Sequence, residues 1–345
     1  MSDFSPKFKE THTPTRSRLV FGEGIFLEQN SHILDGAILV TQGGPKDQLP
    51  AALVERAAQV MLAESLEASD LERMTIETSP NRPVVGIGGG VVMDTAKWLG
   101  WSHDSPLFLV PSSTSVDASV TNAVAVRDNG VVKYRGFAEP VAIYVDASLI
   151  RTAPLSVNRA GIGDLLSIQT AVWDWQLGAQ AGVATFEESI AARATNILET
   201  TIHAAEKIAE ISNDGIETLM LGYSDINDLT LAMGHAQMEE GSEHYFAYLV
   251  EQQTGRSFVH GELVTLGTVL MSRLQENSSE MVEQAADRAK VRWRPQELLL
   301  SREVLVEVLK GLPEFVQHQK YPHSVLNSTV MTDLVIECLL EGLEV

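Results

Sequence analysis

The sequence predicts an α/β amino-terminal domain built on a parallel sheet, followed by an all-α carboxy-terminal domain. Three observations predict it. Up to about residue 153, short β-branched runs alternate with helical patterns, the rhythm of an α/β sheet whose ligands gather at the carboxyl ends of its strands. One of those runs, Val84, Val85 and Ile87, ends in the consecutive glycines Gly88, Gly89 and Gly90. After Pro154 strand-like runs nearly vanish and long helical repeats take over.

The elements follow in order. The first sixteen or so residues carry Pro6, Pro14 and several Ser and Thr, and are expected to be a mobile lead-in. Residues 18–21 (RLVF) are a candidate strand before a Gly22 and Gly24 turn, and residues 37–41 (AILVT) are a stronger one, a buried parallel type that stops at Gln42, Gly43, Gly44 and Pro45. From Pro50, the positions Val54, Ala57, Ala58, Met61 and Leu62 recur at helical spacing and predict one amphipathic helix. Residues 74–76, a Pro80 and Pro83 turn and the Val84 strand come next. Residues 106–110 (PLFLV) and 141–145 (VAIYV) are further strands, closed by the loop SSTSVD at 112–117 and by Asp146. Gln42, Gly88, Ser112 and Asp146 all follow strand ends, where a ligand would sit. In the second half Thr185 and Glu188 spell a capping box, and Ile190, Ala194, Ile197, Thr201, Ala205 and Ile208 line one helical face. A helix over about 303–310 is expected to close at Gly311 and Pro313. The expected domains are therefore 1–153, Rossmann-like and dinucleotide-binding, and 154–345, helical and metal-binding.

Composition narrows the partners. With 345 residues, 44% apolar and 21% charged, the chain has the length for two domains and the makeup of a packed globular protein. Its 46 acidic and 25 basic residues give a net charge of −21, a field that repels nucleic acid. An anionic small substrate would need a local cluster of cations. The lone Cys338 allows neither an intramolecular disulfide nor a Cys-rich zinc module, which fits a reducing cytosol. No apolar run approaches the ~18 residues that span a bilayer, and the amino terminus lacks an apolar signal segment. A cytoplasmic protein without membrane partners is expected, and a homo-oligomer.

The glycine triplet carries the first chemistry. A strand, a turn free of Cβ atoms and a helix start bring backbone N–H groups close to a ligand and favour a phosphate; the other reading is an ordinary strand-to-helix turn with surplus glycine. Asp94 and Lys97 follow at i and i+3, and the spelling is neither G-x-G-x-x-G nor a P-loop. In the second half, Asp164 follows Gly161 and Gly163 at a helix start, where an N-cap is the alternative role. His244 sits early in a helix with Tyr245 and Tyr248, and His260 precedes Gly261; packing is the alternative for each. Together, one carboxylate and two imidazoles make a three-ligand set for a divalent metal that leaves a position open for substrate. Spacing alone specifies that site weakly.

The ordered motifs GGGVVMDTAK, PSSTSVDAS, APLSVNRAGIGDLLS with Asp174 and Trp175 following, GSEH and HGELVTLG resemble the glycerol-1-phosphate dehydrogenase branch of the dehydroquinate synthase-like and iron-containing alcohol dehydrogenase superfamily. The resemblance runs from about Arg18 to about Leu270, and beyond it only helical character matches. It implies a dehydroquinate synthase-like fold with an active site in the cleft between a nicotinamide-binding domain and a metal-binding one. Gly88, Gly89 and Gly90 match the turn that holds the cofactor diphosphate, with Asp94 and Lys97 behind it; Ser112, Thr114 and Ser115 match the loop near the nicotinamide and adenosine. Asp117 matches the acidic residue facing substrate, and Asp164, His244 and His260 match the metal ligands. Lys133 falls in a stretch that often supplies a cation to substrate. The implied chemistry is hydride transfer between NAD(P)H and a small ketone or secondary alcohol, a polyol or its phosphate, polarised by one divalent ion: Zn²⁺, with Ni²⁺ or Fe²⁺ as alternatives.

Several letters depart from that pattern. Where family members continue GSEH into further histidines, this chain has Tyr245 and Tyr248, so a proton-relay role at i+4 from His244 would pass to the Tyr248 phenol. Phosphate recognition is thereby in question, and Lys133, Arg127 and Arg135 are the candidate cations, unless they form a solvated hairpin. The interval between Met74 and Gly88 is short, so the usual helix before the glycine strand is expected to be reduced or missing. After Thr41 no acid stands ready for an adenosine ribose, and Lys46 is nearby, a combination that tolerates the 2′-phosphate of NADP as well as NAD. Two rivals remain open: a sugar-phosphate cyclase that uses NAD transiently, although Ala123 stands where a cyclase has lysine, and a non-catalytic binding protein.

Overall fold

The computed structural model describes residues 14–128 and 131–343. The chain divides into two compact units, Met1–Asn158 with Tyr223–Asp228, and Arg159–Gly222 with Leu229–Val345. The first unit contains strands β1 (Leu19–Gly22), β2 (Ile38–Thr41), β3 (Gln59–Leu62), β4 (Val84–Gly88), β5 (Leu107–Pro111), β6 (Ala123–Asp128), β7 (Val131–Phe137) and β8 (Ala142–Asp146). Its helices are α1 (Gly43–Gln48), α2 (Ala51–Val54), α3 (Ala68–Glu77), α4 (Gly90–Ser102) and α5 (Ala147–Ile150); α6 (Leu155–Ala160) spans the division.

Six strands form one parallel sheet in the order β1-β8-β5-β4-β2-β3, and β6 pairs with β7 as an antiparallel hairpin. β2 and β4 are buried along their whole length, as continuous apolar runs in a parallel sheet require. Leu39, Val85, Ile87, Val110 and Phe26 are sealed in one core, each worth roughly 1.5–3 kcal/mol of burial. The chain moves outward from β2 to β3 and then returns to the other side of β2 as β4. That reversal is a topological switch point, the position where open α/β sheets bind ligands. Thr41 pairs with Ile87 there, and the Thr41 hydroxyl donates to the Ile87 carbonyl at 2.9 Å.

Three expectations for this unit need correction. The single helix from Pro50 to Leu62 stops at Val54, and residues 59–62 form the edge strand β3, with Val60 and Leu62 exposed. Over four residues an alternating pattern and one of period 3.6 overlap, and the ladder offered by β2 decides between them. The helix expected to be missing before the glycine strand is α3, which begins upstream of Met74 and buries Leu71 and Met74. The expected mobile lead-in falls mostly outside the described residues, but its last part is tied down. Thr15 is fully buried with its hydroxyl 2.8 Å from Asp228, and Arg16 pairs with Asp225 at 2.8 Å.

The second unit consists of α7 (Ile162–Leu166), α8 (Ile168–Gln180), α9 (Glu188–His203), α10 (Ala205–Ala209), α11 (Asn213–Met233), α12 (Ser242–Thr254), α13 (His260–Leu274), α14 (Ser279–Arg288), α15 (Arg302–Gln319) and α16 (Asp333–Leu340). Within α11, the segment Tyr223–Asp228 belongs to the first unit. α13 is buried without interruption from Gly261 to Ser272, so it is the core helix, and it packs on α7, α12 and α14. The expected face of α9 and α10 is buried from Ala194 to Ile208, but Thr185 and Glu188 do not form a capping box: the helix begins at Glu188 with Glu187 as its cap. α15 does not close at Gly311. It continues through Pro313 because Leu312 and Val316 extend its buried face, an apolar gain that offsets the roughly 3 kcal/mol of an interior proline.

Asp146, expected at a ligand-facing strand end, is instead an internal staple. Its buried carboxylate accepts N–H bonds from Gly24 (3.0 Å), Phe26 (3.1 Å), Leu27 (3.3 Å), Ser148 (3.1 Å) and Leu149 (3.4 Å). Asp146→Ala leaves these amides without their acceptor and is expected to cost about 3 kcal/mol in urea denaturation; a loss below about 1 kcal/mol would show that water or neighbouring carbonyls replace it.

Candidate active site

Asp164, His244 and His260 come from three different helices and meet. Asp164 lies in the first turn of α7, His244 in the first turn of α12, and His260 opens α13. Their ligand atoms all lie within 4.8 Å of one another, with His260 Nε2 3.5 Å from Asp164 Oδ1 and the two imidazole centroids 5.3 Å apart. Asp164 and His244 are buried and His260 is half-buried, so the cluster has one open side. A carboxylate and two imidazoles suit a borderline divalent cation such as zinc, and a catalytic zinc keeps one position for substrate. The donor set therefore fits a metal.

Two glycines make the meeting geometrically feasible. A Cβ on Gly163 would lie 2.1 Å from the Gly261 carbonyl oxygen, and one on Gly261 would lie 1.9 Å from the Ala160 carbonyl oxygen. Backbone therefore touches backbone where α13 crosses the end of α6 and the start of α7, and the residues next to these glycines are Asp164 and His260. The N-cap alternative for Asp164 falls away, since Gly161 occupies the cap of α7.

The sequence reading gave Glu243 no role, yet it is the residue that orients the site. It is fully buried, and its Oε1 lies 2.8 Å from His244 Nδ1 and accepts the Gly241 N–H at 2.6 Å, while the Thr170 hydroxyl reaches Oε2 at 2.7 Å. With Nδ1 held, Nε2 is the nitrogen left for a metal. Burial pushes the His244 imidazole down, but the hydrogen bond and charge of Glu243, with Glu240 and Asp164, outweigh it and lift its pKa to about 9. Asp174 supports the same segment from α8: it accepts the Ser242 N–H at 2.9 Å and the Val325 N–H at 2.7 Å. Burial, then the charge of Glu243, push its carboxyl up to about 7. The only prior signal was the letter E inside GSEH and the D before Trp175.

In the first unit, Gly88 ends β4, Gly89 caps α4 and Gly90 begins it. None of the three has a positive φ, so the turn does not need glycine for handedness. Space is the reason. A Cβ at Gly88 would meet Val92 at 2.5 Å and one at Gly90 would meet Val116 at 2.9 Å, whereas Gly89 is open, its nearest neighbours being Gln42 Nε2 and Ser113 Oγ at 3.8 Å. Backbone at an open glycine on the N-terminus of a thirteen-residue helix, at the switch point of the sheet, has the N–H groups and the room that favour a phosphate. Lys46 sits half-buried in α1, which starts beside this point immediately after β2.

Other expected contacts turn inward. Lys97 is fully buried, and its ammonium lies 2.8 Å from Asp94, 2.7 Å from the Ala123 carbonyl and within 3.2 Å of both Thr121 oxygens; Asp94 also accepts the Ala125 N–H at 3.0 Å. Asp94 and Lys97 thus tie α4 to the start of β6 and do not reach for the cofactor, correcting that assignment. The Thr114 hydroxyl donates to the Asn158 carbonyl at 2.9 Å and Tyr223 donates to the Thr114 carbonyl at 3.0 Å, so Thr114 fixes the loop. Ser112 donates its N–H to the Gly88 carbonyl at 2.8 Å, and Ser115 lies 3.1 Å from Ser113. Asp117 opens a half-buried 3-10 turn after that loop. Lys133 and Arg135 share Asp128, at 2.7 and 3.3 Å, on the hairpin surface. For these two cations the solvated hairpin is the better description, and Lys133 is not presented as a free cation. Tyr248 donates to Glu240 Oε1 at 2.7 Å, with its ring centroid 6.1 Å from that of His244.

Residues 34–154 match the family model described as iron-containing alcohol dehydrogenase. The chain is 30% identical over 277 residues to the glycerol-1-phosphate dehydrogenase [NAD(P)+] of Pyrobaculum neutrophilum, covering 78% of this chain and 80% of that protein. With the enzyme of the same name from Thermoplasma acidophilum the identity is 24% over 284 residues, 82% of this chain and 81% of the other. The chain belongs to the glycerol-1-phosphate dehydrogenase branch of the iron-containing alcohol dehydrogenase superfamily. It is accordingly an NAD(P)-dependent, metal-dependent oxidoreductase, and the cyclase reading is not favoured. The fold agrees: a probable glycerol dehydrogenase from Sinorhizobium meliloti superposes with a TM-score of 0.68 at 21% identity over 93% of this chain and 95% of the other. An iron-containing alcohol dehydrogenase from Corynebacterium glutamicum gives 0.68 at 14% identity over 95% and 94%. Among the described residues no helix is long and apolar enough to cross a membrane.

Glu243→Gln keeps the shape and the acceptor for His244 but removes the charge. It is expected to lower metal affinity roughly 10- to 100-fold, read by competition with a chelator, while circular dichroism stays unchanged.

Proposed function

We propose that this chain interconverts a small ketone and its secondary alcohol, a polyol or polyol phosphate of the glycerol-1-phosphate and dihydroxyacetone phosphate type, by hydride transfer with NAD(P)H. The observation that carries the proposal is the convergence of Asp164, His244 and His260 from three helices to within 4.8 Å. Residues 1–153 serve as the dinucleotide-binding domain and 154–345 as the catalytic metal-binding domain of a cytoplasmic homo-oligomer. When bound, the divalent ion supplies a Lewis acid for the substrate oxygen and the nicotinamide supplies the hydride.

The chain's own residues do the rest. Asp164 and the Nε2 atoms of His244 and His260 would hold the ion, with Glu243 fixing the His244 ring. Zn²⁺ is the first candidate for this donor set, and Ni²⁺ and Fe²⁺ are alternatives. Gly88, Gly89 and Gly90 cradle the cofactor diphosphate, with Ser112 and Ser115 in the neighbouring loop. Asp117 faces the substrate, and Tyr248 Oη, its proton directed to Glu240, is the group for proton exchange with the substrate oxygen. Lys46, near a strand end with no acid, accommodates a ribose 2′-phosphate, so NADP serves as well as NAD.

Loading the purified enzyme with Zn²⁺, Ni²⁺ or Fe²⁺ in turn and following NAD(P)H oxidation across small ketones and their phosphates tests the activity. His260→Ala is expected to lose both bound metal and turnover by at least about 100-fold; metal content and rate equal to wild type would refute the ligand set. Lys46→Glu is expected to lower kcat/KM for NADPH by about tenfold with little change for NADH, roughly 1.4 kcal/mol of lost phosphate contact. Equal losses with both cofactors would remove Lys46 from the cofactor site.

A further inference from the structure

The open glycine of the β4–α4 turn has polar side chains on two sides. Gly89 is half-buried, and the atoms nearest the place a Cβ would take are Gln42 Nε2 and Ser113 Oγ, each 3.8 Å away. Gln42 is the first residue after β2, with extended backbone at φ −139° and ψ 168°, and its carbonyl accepts the Lys46 N–H at 2.9 Å. Because Thr41 pairs with Ile87, the residue after Thr41 stands beside the end of β4. The register of the sheet therefore delivers this side chain to the glycine turn. Ser113 comes from the other neighbour of β4: Gly88 pairs with Pro111 at the end of β5, and Ser113 follows two residues later.

The Gln42 side-chain amide makes no hydrogen bond among the described residues, so its capacity is spare where it faces the turn. An acid after β2 grips the hydroxyls of an adenosine ribose. The amide at this position ends instead beside Gly89, where the diphosphate would rest. Its NH₂ offers two donors and brings no negative charge, which suits an anion whose oxygens only accept. The first amides of α4 are donors of the same kind, since the first turn of a helix leaves them without partners inside it. Lys97 adds no cation from α4, because its ammonium is sealed against Asp94 at 2.8 Å and the Ala123 carbonyl at 2.7 Å.

We infer that Gln42 donates to the cofactor diphosphate over Gly89, and so reads the part that NAD and NADP share and not the adenosine ribose. The inference rests on the glycine turn being the dinucleotide site. It divides the work between two neighbouring positions: Gln42 sets affinity for both cofactors, and Lys46 sets the discrimination between them.

The test titrates the full-length zinc-loaded protein with NADH, NADPH and an NADH analogue that lacks the 2′-hydroxyl of the adenosine ribose. Nicotinamide fluorescence gives each Kd without turnover. Gln42→Leu keeps the bulk and removes the amide, and is expected to raise all three Kd values about tenfold, the loss of a hydrogen bond to a charged group. Gln42→Glu, isosteric with glutamine, is expected to raise them further by setting a carboxylate beside the diphosphate; should Gln42→Leu not fold, this variant carries the same comparison. Unchanged Kd values, with circular dichroism as in the wild type, overturn the inference and leave the cofactor site standing. A loss with NADH that vanishes with the deoxy analogue, or one confined to NADPH, shows that Gln42 reads the ribose end and overturns it as well. Wild-type protein that binds none of the three dinucleotides removes the glycine turn as the cofactor site, and the oxidoreductase reading falls with it.

Discussion

The candidate metal site depends on one close contact, the backbone crossing of α13 with the end of α6 and the start of α7. The carbonyl of Gly261 and the Cα of Gly163 approach so closely that a single methyl group on either residue would overlap main-chain atoms. Removing that methyl costs each helix up to about 1 kcal/mol of intrinsic stability. What it gains is a fixed separation between Asp164 and His260, each adjacent to one of the glycines. Since α13 is buried along almost its whole length, the crossing is held by packing on several sides and cannot slide easily.

A layer of buried polar groups converts that packing into chemistry. Thr170 and Asp174 on α8 reach the GSEH segment through Glu243 and the Ser242 amide, and Glu243 in turn fixes the ring of His244. Burying two carboxylates so close together is costly, and the raised pKa of Asp174 is the sign of that cost. Every bond in the layer constrains one ligand, so the network trades stability for the orientation of a single imidazole. His260, half-buried where its two partners are buried, leaves the triad its open side.

In the first unit the polar letters of the motifs do a different job. Asp94, Lys97, Thr114 and Asp146 all look like ligand contacts in the sequence, and all four are occupied inside the protein. They hold the structure around β4, β5 and β8, while the backbone at Gly89 stays open, with nothing nearer than 3.8 Å to its Cβ position. Removing Lys97 alone would strand Asp94 in the interior, a change typically worth 3–5 kcal/mol. The division of labour is physically sensible, because a diphosphate asks for N–H groups and room more than for side chains.

By itself the sequence determined the parallel α/β half and the helical half, because buried parallel strands must be apolar throughout and amphipathic helices repeat at their own period. The Asp164, His244 and His260 set rested on the resemblance of ordered motifs, since spacing alone specified it weakly, and it is the tertiary structure that brings the three side chains together. Short elements were not legible: four residues at 59–62 satisfy both periods, and only the ladder of β2 makes them a strand. The helix through Pro313 was hidden because a proline signals an end unless tertiary packing outweighs it. Nor could the sequence tell which polar residues face a ligand. Lys97 and Lys133 look alike as letters, yet one is sealed among four oxygens and the other lies on a hairpin. That choice belongs to the tertiary structure, since direction and burial are set by which elements meet, and so does the role of Glu243, visible only once His244 has a neighbour to lean on.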